Sequence, residues 1–160
     1  MPKLNRERLI HFIDSSFGVG STKYHKLGRD LEELSTELNP DTESTKNILG
    51  ETSVKDNGYE PTTTVEPYYY DTDDEFAEAL KDIAFSRKKG DETKTKYLEV
   101  IVKNTSDSSH EAYEEVVYVK PTSYGGDTSG FAIPFEISHT GERKKGTATI
   151  SDGTVTFNES

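Results

Sequence analysis

Cysteine is absent from this sequence, so disulfide bridges and thiol chemistry are both excluded. Long apolar runs are missing too. Nothing approaches the ~20 consecutive apolar residues that cross a bilayer as a helix. The first residues, MPKLNRERLIHFIDSS, have neither an uninterrupted apolar stretch nor a small-residue cleavage site. The expectation is a soluble chain with no membrane partner, intracellular when made. Basic residues are scarce: 19 Lys and Arg stand against 30 Asp and Glu, for a net charge of -11. A surface that negative repels phosphate and disfavours nucleic-acid binding as an end in itself. Hydrophobic residues make up only 31% and mean hydropathy is -0.79, polar for a compact monomer but tolerable where long segments are exposed or lie between subunits.

Catalytic patterns are lacking as well. His11, His25, His110 and His139 show no HxxxH or HxH spacing, so they are expected to be isolated or locally satisfied and to bind no metal. Asp71, Asp73, Asp74 and Glu75 offer enough oxygens for Ca²⁺, but the loop glycine of an EF-hand is absent and charge at a helix start explains the same residues. Gly18 and Gly20 fall short of either phosphate-binding glycine motif. No GxSxG elbow frames a serine nucleophile. No enzyme, no catalytic residue and no cofactor is expected.

What is present is aromatic and β-rich. Nine Tyr and seven Phe argue against disorder, and 160 residues suit one domain. The first 30 residues carry a charge of +3 and the remaining 130 carry -14, so a basic N-terminal segment can attract the acidic body of another copy. Residues 1–26 form an arm with a first strand or helical turn at Leu9 to Ile13, a Gly/Ser loop at 15–22 and an extended piece at 24–27. A strand is expected over 33–38, ending at the Asn39-Pro40-Asp41 turn.

Residues 39–67, NPDTESTKNILGETSVKDNGYEPTTTVEP, then predict a long hairpin, about 45–66, turning at Asn57-Gly58, the pair best suited to positive φ at both central positions. Neither arm has a convincing apolar face, and a lone hairpin is marginal in water. It needs neighbours, and another copy of the chain can supply them. The contact residues are then Leu49, Thr52, Val54, Asn57, Gly58, Tyr59, Thr63 and Val65, with Tyr69 from the Tyr68-Tyr69-Tyr70 run that follows.

One helix is predicted over 73–89. Thr72 or Asp73 is the N-cap, with Glu75 completing a capping box; Phe76, Ala79, Leu80, Ile83 and Ala84 form one apolar stripe. Arg87, Lys88 and Lys89 fill the last turn and Gly90 stops it. From 95 to 157 the pattern is all β. Strands are expected at 98–103, at 113–120, and at 131–138 with Pro134 marking an edge or bulge. A charged turn over 141–146 and a terminal hairpin turning at 151–153 complete the pattern. The fold class is mainly β, one flanking helix packed on a β-sandwich or barrel.

Three segments, LGRDLEELSTELNPDTESTKNILGETSVKDNGYEPTTTVEPYYYDTDDEFAEALKDIAFSRKKGDE, SYGGDTSGFAIPFEI and RKKGTATISDGTVTF, resemble the major tail tube proteins of long-tailed, siphovirus-type bacteriophages and prophages of Gram-positive bacteria. LNPDTESTKNILGET and YGGDTSGFAIPFE carry the resemblance most specifically. It implies a tail-tube-like sandwich and hexameric rings that stack into a hollow tube. DNA would pass through that tube from capsid to host without specific binding, along an electronegative lumen. It also implies, as partners, further copies of the chain together with tape-measure, tail-terminator and distal tail proteins, in a virion assembled in the host cytoplasm. The alternative is a monomeric carbohydrate- or surface-binding β-sandwich with Tyr68 to Tyr70 as its platform.

Overall fold

A computed structural model describes residues 3–28, 31–151 and 153–159. In chain order the strands are β1 (Leu9–Asp14), β2 (Tyr24–Leu27), β3 (Thr36–Glu37), β4 (Pro40–Lys46), β5 (Thr52–Tyr59) and β6 (Thr62–Val65). After helix α1 (Glu75–Ser86) come β7 (Lys94–Ile101), β8 (His110–Pro121), β9 (Gly125–Asp127), β10 (Gly130–Ala132), β11 (Phe135–Ser151) and β12 (Thr154–Glu159). Eight of them make one antiparallel sheet, ordered β2-β1-β7-β8-β11-β6-β3 with β12 on the far half of β11. The sheet curls into a half-barrel.

Strand side chains alternate between faces, and here both faces are used. On one, Ile13, Tyr97, Val117, Val119, Phe135 and Ile137 join Phe76 and Leu80 of α1 in the main core. On the other, Phe12, Leu98, Val100, Ala112, Ala148 and Val155 form a second core. Neighbouring residues such as Phe12 and Ile13 therefore belong to different cores. This explains why Leu9 to Ile13 is apolar without alternation: β1 lies between β2 and β7, buried on both sides. Within the predicted N-terminal arm, Leu9–Asp14 is an interior strand and Tyr24–Leu27 the edge strand beside it.

The helix is shorter than predicted. Asp74 is its N-cap, accepting from the backbone N–H groups of Phe76 and Ala77, so the Thr72–Glu75 capping box does not form. It ends at Arg87, whose left-handed backbone (φ 52°) does the work assigned to Gly90, and the basic run lies beyond the last turn. Phe76 meets Phe135 and Tyr68 edge-on, with centroids 5.5 and 5.7 Å apart.

The hairpin is present but displaced. β4 pairs with β5 and the chain reverses at 47–51, not at Asn57-Gly58. Asn57 is instead the extra residue of a bulge, where the register moves between Asp41 opposite Gly58 and Thr42 opposite Asp56. The positive φ of Gly58 (91°) serves that bulge. Thr62 to Val65, predicted as the descending arm, leaves the hairpin and joins the main sheet as β6 beside β11. Three further expectations are revised. The strand at 33–38 reduces to Thr36–Glu37; the strand at 131–138 is broken before Phe135, at Pro134; the charged segment 141–146 is no turn but the middle of the 17-residue β11. The terminal hairpin forms from β11 and β12, but Ser151, read as part of its turn, is in the strand and pairs with Thr154; Asp152 of the predicted turn lies outside the described residues.

Phe76→Ala should cost about 3–5 kcal/mol in a urea unfolding titration, because it empties the point where α1 meets the sheet. Ile48→Ala at the hairpin tip should shift monomer stability by no more than about 0.5 kcal/mol in the same assay.

Candidate subunit-contact site

The hairpin turn is closed by one side chain. Asn47 Oδ1 accepts from the N–H groups of Leu49 at 2.9 Å and Glu51 at 3.0 Å, while Gly50 takes φ 82°. That geometry leaves Ile48 and Leu49 at the tip, 102% and 77% exposed. Val54 (71%) and Tyr59 (63%) follow along β5. Every residue of β4 is exposed, as is every residue of β5 except Gly58, so neither face of this ribbon is covered. Of the predicted contact residues, Leu49, Thr52, Val54, Asn57 and Tyr59 are on this open ribbon. Tyr69 is half-buried, its backbone bridged to Ala132. Thr63 and Val65 are corrected: they point into the chain's own core, 1% and 0% exposed, because β6 belongs to the main sheet.

The root of the ribbon is firmly held. Asn39 Nδ2 donates to the Glu60 carbonyl at 3.0 Å, and the Glu60 N–H to the Leu38 carbonyl at 3.1 Å. Thr36 and Thr63 share a 2.7 Å hydroxyl hydrogen bond, and Thr63 Oγ1 lies 2.9 Å from His139 Nε2. His139 Nδ1 in turn donates to Glu115 Oε1 at 2.9 Å. The same oxygen accepts from Arg143 at 2.7 Å, and the Gly141 N–H donates to Oε2 at 3.0 Å. Glu115 thus gathers three donors from the bulge between His139 and Arg143. Arg143 continues to Glu99 at 3.1 Å and lies over the Tyr113 ring.

The network reaches the first residues through His11. Arg6 donates to His11 Nε2 at 2.9 Å and to the Leu34 carbonyl at 2.8 Å. A guanidinium only donates, so His11 Nε2 must accept, and its Nδ1–H is left to donate to the Tyr97 hydroxyl at 2.7 Å. His11 is therefore neutral. Burial first, and the Arg6 charge second, pull it from 6.5 to about 4. For Glu115, burial works upward but is outweighed by His139, Arg143 and the Gly141 N–H, so its pKa is lowered. Burial, then Glu99, raises the Tyr97 hydroxyl well above its ordinary value.

Of these residues only Thr63 is singled out by the sequence, as a contact residue, and not for this network. The available signal was parity: Glu115 lies on the same face of β8 as Val117 and Val119, a charge in an inward register. His11, His25 and His139 are satisfied, His25 by Ser15 at 2.9 Å, whereas His110 Nδ1 is buried with no hydrogen-bond partner among the described residues. The Tyr68 ring packs between Phe76 and Phe135 and its hydroxyl donates to Asp74 at 2.5 Å; the Tyr70 hydroxyl donates to Glu78. Lys23, from the basic N-terminal segment, pairs with Glu75 of its own chain at 3.3 Å. No group of three or more His, Asp or Glu among the described residues is arranged to hold a metal ion. No described helix is long and apolar enough to cross a membrane.

Two measurements follow from this network. The folded His11 stays neutral down to about pH 4 while the unfolded chain takes up a proton near 6.5, so its contribution is complete above pH 6.5 and is lost as pH falls to 4. His11→Gln should flatten that acid limb by about 3 kcal/mol in denaturant titrations between pH 7 and 4. Glu115→Gln should cost about 3–5 kcal/mol at pH 7, because it leaves the buried donors of the bulge without their charge partner.

No protein-family model matches the chain, and no curated protein does. Solved structures do. A chain of the SPP1 tail tube is similar over 94% of this chain and 82% of its own, at 15% identity and a TM-score of 0.61. The sheath/tube terminator of an extracellular contractile injection system, PVC, in its extended state matches over 91% and 97%, at 11% identity and 0.55. The tube-terminating cap of the anti-feeding prophage matches over 100% and 93%, at 12% identity and 0.50. The shared feature is the fold: this chain folds like the tube and tube-end proteins of phage tails and injection systems.

Proposed function

We propose that this chain is a structural subunit of a phage tail tube, polymerising as stacked hexameric rings that conduct DNA from capsid to host. The observation that carries the reading is the uncovered ribbon β4–β5, with Ile48, Leu49, Val54 and Tyr59 in water, on a fold shared with the SPP1 tail tube. Apolar residues on a ribbon without a core of its own are what a neighbouring copy would cover. The net charge of -11 suits a lumen through which DNA slides without sticking. The long-tailed type and the Gram-positive host rest on the resemblance of the quoted segments. The partners are further copies, with tape-measure, terminator and distal tail proteins at the ends, in a virion assembled in the host cytoplasm. The likeness to a terminator and a cap favours a second reading, a ring that closes a tube. The engagement of Tyr68 and Tyr70 within the chain weighs against a glycan platform.

Electron microscopy of purified protein at rising concentration separates these readings. The tube reading expects growing tubes, the end-cap reading single rings, and a monomer at every concentration overturns both. Removing residues 43–55 should leave a cooperatively melting subunit that no longer forms tubes. Loss of the cooperative transition would instead place the ribbon in the subunit's own fold.

A further inference from the structure

The sequence has six asparagines, and the fold sets Asn57 apart from them. Asn39 Nδ2 donates to the Glu60 carbonyl, Asn47 Oδ1 accepts from Leu49 and Glu51, and Asn104 Oδ1 accepts from Ser106. The Asn57 side chain is exposed and makes no hydrogen bond among the described residues. Asn57 is also the extra residue of the β5 bulge, outside the register that pairs Asp41 with Gly58 and Thr42 with Asp56. Of the six it alone precedes a glycine.

The side-chain amide carbon of an asparagine is one five-membered ring away from the next backbone nitrogen. Closing that ring is opposed by a side chain on the next residue, which crowds the attack, and by the proton the nitrogen must give up. Gly58 has no side chain, and its φ of 91° is open to glycine but strained for other residues. Its N–H donates to Asp56 Oδ1 at 2.9 Å, within the reach of a general base. A carbonyl in that place would only hold the proton, whereas a carboxylate can take it. We propose that Asn57 is a self-modification site with Asp56 as its base. The Gly58 nitrogen bonds to Asn57 Cγ as its proton passes to Asp56. The Asn57 amide nitrogen then leaves as ammonia, carrying that proton away, and a succinimide remains. Water opens the ring at either carbonyl, giving aspartate or isoaspartate. Aspartate sets a third carboxylate beside Asp41 and Asp56. Isoaspartate lengthens the main chain at the bulge, so the ladder on its two sides falls out of step next to the root that Asn39 and Glu60 hold. The chemistry is internal to one chain and does not depend on the tube reading.

The test uses the purified full chain, kept dilute in warm neutral buffer so that the ribbon stays open. Peptide mapping reads the small mass gain of an amide becoming an acid, and fragmentation separates isoaspartate from aspartate. Asn57 should convert first, with isoaspartate among the products. Conversion no faster than at Asn47 or Asn104 overturns the site, and aspartate without isoaspartate, the mark of direct hydrolysis, overturns the ring closure. Asp56→Ser keeps an oxygen that can accept from the Gly58 N–H but removes the base. It should slow conversion by about tenfold or more, less than a buried general base would give because this carboxylate is exposed. A hydrogen bond that merely restrained the N–H would be loosened by the same change, so unchanged or faster conversion overturns the role of Asp56. Because Asp56 lies on the ribbon, outside both cores, the variant should melt as the wild type does.

Discussion

Glu115 is the constraint on which the rest of this molecule depends. A carboxylate inside a protein is costly unless its oxygens are matched by donors. Here the donors are His139, the Gly141 N–H and Arg143, all from one short stretch of β11. Satisfying the charge therefore fixes the bulge, and the bulge bends β11. β11 pairs with β6 through its first residues and with β12 through its last, with β8 alongside on both sides of the bulge. A bulge of this kind increases local twist, in keeping with the curl of the sheet.

The same network separates what is anchored from what is offered outward. From Glu115 it runs through His139 and Thr63 to Thr36 at the root of the ribbon, and through Arg143 to Glu99, whose carboxylate lies 3.8 Å from the His11 ring that Arg6 bonds. The ribbon's base is thus tied to the sheet by polar groups, whereas its tip carries Ile48 and Leu49 with nothing of its own chain over them. Burial on both sheet faces takes up most of the chain's limited apolar content. Little remains to cover the ribbon from within.

How much of this could be seen in the sequence varied with how local the cause was. The helix, β7, β8 and the terminal hairpin followed from periodicity alone, because each alternation or stripe is set by what that segment buries. Asn57-Gly58 misled because the same positive φ that makes a hairpin turn also makes a bulge, and the Asn47 side chain supplied a turn that no dipeptide rule marks. Thr63 and Val65 look like exposed ribbon in sequence; their burial depends on β11, some 70 residues away. Glu115 was hidden for the same reason, since its partners come from another strand. Of the predicted contact residues, those on β5 and at the turn are open and those on β6 are not.

β11 passes through both cores, Phe135 and Ile137 in one and Ala148 in the other. Neither core can loosen while the other keeps its shape, because they share a backbone that Glu115 holds at its bend. The subunit should accordingly behave as one stiff block. In any assembly made from it, bending must then be taken up at the joints between copies.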